Sequence, residues 1–287
     1  MSLLYLQNRT ELLSIPSNVT ARLKEMTANA NHELRKDNFT AAQIEHWWKN
    51  MGHSAQRLDQ IALLRTIVSS KALGPMRTVC EIGMNAGHSA TTLLEGQQTV
   101  LIGFDLFTLP YSLATRRVLS EHYPNRTHYF HGRSQEEVPR YASRRNALGF
   151  PLCDLWLVDG DHERGAILDM RAALNLSRDG AVIVADDCSS KHWRVQQAWL
   201  SLINDGFIYD AWNTTDRSKG WCVGRFRRDE SRLHLLSQHH NYYRLRNVDP
   251  VSMAYWELPC DARVLTQNSL RPSCTKNSTH MDTHEVV

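Results

Sequence analysis

Three features of this chain predict an α/β protein with a doubly wound sheet. Short apolar runs alternate with amphipathic stretches from Thr78 to about Phe226, a glycine-bearing turn follows the first run, and acids end several of the others. Such alternation puts helices on both faces of a mostly parallel sheet, which binds ligands in the crevice at its strand C-terminal ends. Strands are expected near 78–83, 99–105, 127–131, 153–159, 180–186, 207–212 and 220–226, with helices near 87–95, 111–122, 134–147, 163–176 and 190–204.

Residues 1–75 read as an N-terminal helical extension or lid. Leu58, Ile61, Leu64 and Val68 recur at helical spacing, and Gly74-Pro75 closes the segment. Residues 76–228 form the expected core. Its last helix carries Val195, Ala198, Trp199 and Leu202 on one face, as a sheet-covering helix should. No helix separates the runs Phe207–Trp212 and Gly220–Phe226, so the last strand should pair antiparallel at a sheet edge. Residues 229–265, rich in Tyr, His and Leu, are expected to pack on the core as a C-terminal extension, and 266–287 are polar enough to be disordered.

At 287 residues and 42% hydrophobic, the chain can bury one sizeable core with additions. A formal net charge of +3 is too slight to imply nucleic acid or an anionic membrane as partner. No apolar run reaches the roughly 18 residues of a membrane span. Met1–Leu13 has no basic start followed by an apolar stretch, hence no recognisable secretory signal. The six cysteines, Cys80, Cys153, Cys188, Cys222, Cys260 and Cys274, are scattered without close pairs and read as reduced thiols acting as small apolar residues. These features favour the cytoplasm. Asn-x-Ser/Thr triplets at Asn8, Asn18, Asn38, Asn125, Asn175, Asn213 and Asn277 keep a lumenal setting open. A homodimer is allowed.

The stretch Val79-Cys80-Glu81-Ile82-Gly83-Met84-Asn85-Ala86-Gly87-His88-Ser89 reads as a buried strand breaking into a turn that opens a helix. Gly83 and Gly87 let backbone N–H groups approach a nucleotide-type ligand, and Asn85 tolerates a left-handed backbone. About 20 residues on, Asp105 ends the next strand, where a carboxylate meets ribose hydroxyls. Strand four ends in Asp159-Gly160-Asp161-His162 and strand five in Asp186-Asp187. Asp159, Asp186 and Asp187 converging on one crevice would repel unless a hard divalent cation, Mg²⁺, lay between them. The plainer reading is helix capping, by Asp187 near Ser189 and by Asp161 near Glu163. His162, just past the strand-four acid, is the candidate proton acceptor. His88 and His131 read as polar turn residues.

The ordered set Glu81–Gly87, Phe104-Asp105, Asp159–His162 and Asp179-Gly180 leading to Ala185-Asp186-Asp187 resembles class I S-adenosylmethionine-dependent methyltransferases, with their Rossmann-like sheet. More narrowly, it is similar to the metal-dependent small-molecule O-methyltransferases of the catechol, caffeoyl-CoA and macrolide-sugar types, over about residues 78–226. The resemblance implies that Glu81, Gly83, Asn85 and Gly87 surround the methionine part of the cofactor, with Ser89 near its carboxylate. It implies that Asp105 holds the ribose, that Gly132-Arg133-Ser134 approaches the adenine, and that Asp159 lies beside the cofactor. Asp159, Asp186 and Asp187 match its metal-binding positions, and His162 stands where the sugar-modifying members keep a catalytic histidine. Asn85 replaces the usual middle glycine, and Arg133 stands where an acid is common.

The implied activity is methyl transfer to a hydroxyl of a small acceptor with two neighbouring oxygens, a sugar diol or catechol. Trp47, Trp48 and His53, with the loop around Lys191, His192 and Trp193, would choose the acceptor, although the tryptophans equally suit plain packing. Two rivals stand beside this reading. One is a noncatalytic subunit that keeps the fold and the cofactor. The other is a nicotinamide dehydrogenase, whose fingerprint needs a glycine where this chain has His88.

Overall fold

Seven strands form one sheet in the order β3-β2-β1-β4-β5-β7-β6. They are β1 Thr78–Ile82, β2 Val100–Asp105, β3 Thr127–His131, β4 Cys153–Val158, β5 Ser177–Ala185, β6 Ile208–Asn213 and β7 Cys222–Phe226. The first five run parallel, and β7 lies between β5 and β6, antiparallel to both. The expected sheet and its antiparallel last strand are both present. The computed structural model describes residues 15–51, 57–163, 165–189, 193–213 and 220–229. The extension from residue 230, the polar tail, the segment before Ile15, and His53, Lys191, His192, Cys260 and Cys274 lie outside the described residues.

Both faces of the sheet are covered because its central strands are apolar on both sides. Cys80 and Ile82 of β1, Trp156 and Val158 of β4, and Ile183 and Ala185 of β5 point to one face. There they meet α6 (Ser134–Leu148), α7 (Gly165–Asn175) and α8 (Trp193–Asn204). On this side Trp156 stacks on Phe104 at 13° and 6.0 Å between centroids, a pairing worth about 0.5–1.5 kcal/mol beyond burial. Val79, Leu155, Leu157, Val182 and Val184 point to the other face. That face is covered by α3 (Leu58–Ser69), α4 (His88–Leu94) and α5 (Ser112–His122), and Met26 of α1 (Ser17–Lys36) joins the same cluster. The expected N-terminal extension thus supplies part of the core. A smaller cluster brings Ala30 and Leu34 of α1, and Ile44 and Trp48 of α2 (Ala41–Met51), against Ala86 and Tyr111.

The reduced-thiol expectation is corrected by the structure. Cys80 is bonded to Cys153 and Cys188 to Cys222. The partners are 73 and 34 residues apart in sequence, which hides the pairing, but β1 lies beside β4 and β5 beside β7.

Candidate active site

The C-terminal ends of β1 through β5 open onto a cavity of about 970 Å³, near the upper end for small-molecule sites. Its lining runs from the first turn (Gly83, Met84, Asn85, Ala86) past Asp105 to Gly132, Arg133, Ser134 and Gln135. Asp159, Gly160, Asp161, His162 and Asp186 line it as well, and Trp48, Lys49, Arg57 and Gln60 close it from the N-terminal helices. Room for both a cofactor and a small acceptor is therefore present.

Backbone geometry makes the first turn. Gly83 has φ +83°, and a Cβ there would run into the carbonyl oxygen of Asp159, so glycine alone lets the ends of β1 and β4 close together. Asn85 takes the left-handed conformation at φ +47°. Its Oδ1 accepts a hydrogen bond from the Tyr111 hydroxyl at 2.5 Å. Asp105 shapes the same turn from inside: its Oδ2 accepts from the Met84 N–H at 2.7 Å and its Oδ1 from the Phe107 N–H at 2.6 Å. It also lines the cavity, where remaining lone pairs can meet ribose hydroxyls.

Glu81 is fully buried and stands one layer behind the lining, with the Ser89 hydroxyl donating to its Oε1. Its Oε2 is buried without a hydrogen-bond partner. Burial pushes the carboxyl up to about 8 against the Ser89 hydrogen bond, and negative Asp159 and Asp105 add to the rise. An orphaned buried carboxyl oxygen beside the glycine turn fits a cofactor that brings an ammonium to that end. In the turn after β3 the Ser134 hydroxyl donates to Asp169 Oδ1 at 2.7 Å.

The strand-four and strand-five ends supply a metal-capable group. Asp159, His162 and Asp187 each offer one ligand atom within 4.8 Å of the others. His162 Nε2 lies 3.1 Å from Asp159 Oδ1 and 3.4 Å from Asp187 Oδ2. The hydrogen bond to Asp159 pushes the imidazole up to about 9 despite burial, with the charges of Asp159, Asp187 and Asp186 reinforcing it. Asp186 lines the cavity but stands outside this group. Its Oδ1 accepts from the Trp221 indole N–H at 2.5 Å and from the Asp187 N–H at 2.7 Å. The carboxylate oxygens of Asp159 and Asp187 fit a divalent cation, with the His162 imidazole within reach of both.

The capping alternative applies to Asp161, whose oxygens accept from the N–H groups of Glu163 at 2.7 Å and Gly165 at 3.0 Å at the start of α7. Trp47 and Trp48 are packed against Tyr111. His88 is buried and meets the Thr27 hydroxyl through Nε2 at 2.9 Å, tying α1 to the cofactor-side turn. Gln135 and Asp169 are site residues that sequence reasoning missed. The available signal for Asp169 was a lone acid among Ala166, Ile167, Met170 and Ala173 on the apolar stripe of α7.

Residues 80–188 match the family model described as a methyltransferase domain. Among solved structures, the chain is similar to an O-methyltransferase from Bacillus cereus in complex with S-adenosylhomocysteine. The TM-score is 0.55 at 15% identity, over 76% of this chain and 96% of that one. It is similarly related to the O-methyltransferase TomG from Streptomyces achromogenes, involved in tomaymycin synthesis and solved with S-adenosylmethionine. There the TM-score is 0.55 at 17% identity, over 78% of this chain and 95% of that one. Likeness at these identities is one of fold. No curated protein sequence matches the chain. The antiparallel β7 between β5 and β6 also separates this sheet from the 3-2-1-4-5-6 order of dinucleotide-binding dehydrogenases. Residues 80–188 thus match a methyltransferase domain and lie within a sheet whose fold is that of solved O-methyltransferases.

Proposed function

We propose that the chain transfers the methyl group of S-adenosylmethionine to a hydroxyl of a small acceptor with two neighbouring oxygens, a sugar diol or a catechol. One observation carries the reading: the glycine turn and Asp105 line the same cavity as Asp159, His162 and Asp186, with Asp187 buried within ligand distance of Asp159 and His162. Asp159 and Asp187 would hold a divalent cation, Mg²⁺, with Asp186 beside them. When bound, such a cation supplies Lewis acidity, lowering the pKa of a hydroxyl that it chelates.

His162 is placed to take the proton of the reacting hydroxyl. With Asp159 and Asp187 facing it as bare carboxylates, the imidazole keeps its own proton up to about pH 9. Were a cation to take up their charge, His162 would be free to act as a base at neutral pH. In the transfer the acceptor oxygen forms a bond to the methyl carbon, the carbon–sulfur bond breaks, the sulfonium becomes a neutral thioether, and the hydroxyl proton passes to His162. Because opposite charges annihilate, exclusion of water by Trp48 and the N-terminal helices favours the step.

The test is transfer of labelled methyl from S-adenosylmethionine to a panel of catechols and vicinal-diol sugars, with and without EDTA. Asp159→Ala should cut turnover about 10²-fold or more while S-adenosylhomocysteine binds within about threefold of the parent. An Asp159→Ala enzyme as active as the parent in EDTA would end the metal reading. Tight S-adenosylhomocysteine binding with no hydroxyl methylated would instead favour a noncatalytic subunit.

A further inference from the structure

A carboxyl group only 1% exposed sits behind the cavity wall formed by the turns after β3 and β4. Asp169 of α7 accepts two hydrogen bonds on one oxygen: the Ser134 hydroxyl at 2.7 Å and the Gln135 side-chain amide at 2.9 Å, both donated to Oδ1. Ser134 and Gln135 open α6 and line the cavity. The other oxygen lies against the turn after β4, where a Cβ on Gly160 would come within 2.9 Å of Oδ2. Asp169 thus joins the turns after β3 and β4 from beneath. Its neighbours on the buried side of α7 are apolar, and a carboxyl there costs stability unless its hydrogen bonds secure something. Burial pushes it up to about 7, against the hydrogen bonds from Ser134 and Gln135.

The direction of these bonds sets what the wall presents. The Gln135 amide is planar, so pinning its Nε2 on Asp169 turns its Oε1 away from the carboxyl. The Ser134 hydroxyl likewise spends its proton on Asp169 and keeps its lone pairs. Two acceptors are left at that end of the cavity. They complement an exocyclic amine and disfavour a carbonyl oxygen. Arg133, the residue before them, is exposed and can offer only donors.

We propose that Asp169 is a positioning residue for the nucleobase: by locking Ser134 and Gln135 with their acceptors toward the cavity, it makes the site select a 6-amino purine over a 6-oxo purine. The inference rests on the S-adenosylmethionine reading above and adds the residue that orients the adenine end.

Calorimetric binding of S-adenosylhomocysteine and of its 6-oxo analogue, S-inosylhomocysteine, tests it on the full chain. The parent should prefer the adenine ligand by about tenfold or more. Asp169→Ala should weaken that ligand about 10- to 100-fold and the inosine ligand by no more than about threefold, so the preference collapses. Asp169→Asn keeps an acceptor oxygen and should stay within about fivefold of the parent. In a Ser134→Ala/Gln135→Ala background, Asp169→Ala should add less than about a twofold further loss. Equal weakening of both ligands by Asp169→Ala, or a fully additive loss in that background, would overturn the proposal and leave Asp169 a packing residue. Should Asp169→Ala not fold, Gln135→Ala and Asp169→Asn decide: preference for the amine retained in Gln135→Ala overturns the proposal, and preference lost in Gln135→Ala but kept in Asp169→Asn upholds it. A parent that binds neither ligand would overturn the cofactor reading itself, an outcome distinct from all of these.

Discussion

Glu81 concentrates the conflict between cofactor chemistry and folding at a single residue. Its carboxyl is fully buried, and burial raises it from the ordinary 4.5 to about 8. In the unfolded chain the group ionises above about pH 4.5, whereas the folded protein keeps the proton to about pH 8. Between those values the unfolded state binds fewer protons, so stability falls as pH rises. The contribution is present in full below about 4.5 and is lost by the time pH passes 8. Glu81→Gln keeps an oxygen for the Ser89 hydroxyl and removes the titration. Thermal melts should therefore show little change near pH 4.5 and a gain of several degrees near pH 8, on the order of a few kcal/mol. Equal shifts at both pH values would mean that Glu81 does not hold its proton in the folded state. If the ammonium of the cofactor ionises Glu81, binding near pH 7 should also release a proton, and the Gln variant should not.

At the level of elements, the Tyr111 hydroxyl joins the α1–α2 pair to the glycine turn, beside the Thr27–His88 contact. The Tyr111 OH donates to Asn85 Oδ1 at 2.5 Å and receives the Trp47 indole N–H at 3.4 Å, while Trp48 packs on the same ring. Trp48 is held in turn by its indole N–H to Asn31 of α1 at 2.7 Å. Tyr111→Phe keeps the packing and removes the link. It should weaken S-adenosylhomocysteine binding about three- to tenfold while costing only about 0.5–1.5 kcal/mol of stability. An unchanged dissociation constant would show that the helices do not hold the turn. This linkage also marks the limit of what the chain discloses by itself. Strand ends were legible because apolar runs stop at Asp105, Asp159 and Asp186, and the left-handed turn was legible at Asn85. The helical spacing of Leu58, Ile61, Leu64 and Val68 likewise exposed α3. Contacts such as Tyr111–Asn85 or Asp169–Gln135 join residues 26 and 34 positions apart, and no periodicity reports them. The placement of His162 within the group formed with Asp159 and Asp187 depends on side-chain direction, which spacing leaves open.

For the whole molecule, the two disulfides bear most directly on where the protein works. Cys80–Cys153 ties β1 to β4 beneath the cavity, and Cys188–Cys222 ties the end of β5, just after Asp187, to β7. Bonds of this kind persist in oxidising compartments and are rare where glutathione keeps thiols reduced. Two Asn-x-Ser/Thr triplets also have exposed asparagines on turns with left-handed backbones, Asn38 at φ +64° and Asn125 at φ +60°. An oligosaccharide at either position would meet solvent rather than core. Both features weigh toward the lumenal alternative. Closing loops of 73 and 34 residues should stabilise the fold by about 4 kcal/mol each through restriction of the unfolded chain. Reduction should therefore lower the melting temperature by roughly 15 °C or more. Because Cys188 is next to Asp187, mild reduction should impair turnover before it impairs S-adenosylhomocysteine binding. An unreduced peptide map of protein from its own cells should contain both cross-linked pairs, and glycosidase treatment should lower the mass of peptides bearing Asn38 or Asn125. If all four thiols are alkylated in the native protein and no such mass change occurs, the oxidising compartment is ruled out and the cysteines revert to small apolar residues of a cytoplasmic enzyme.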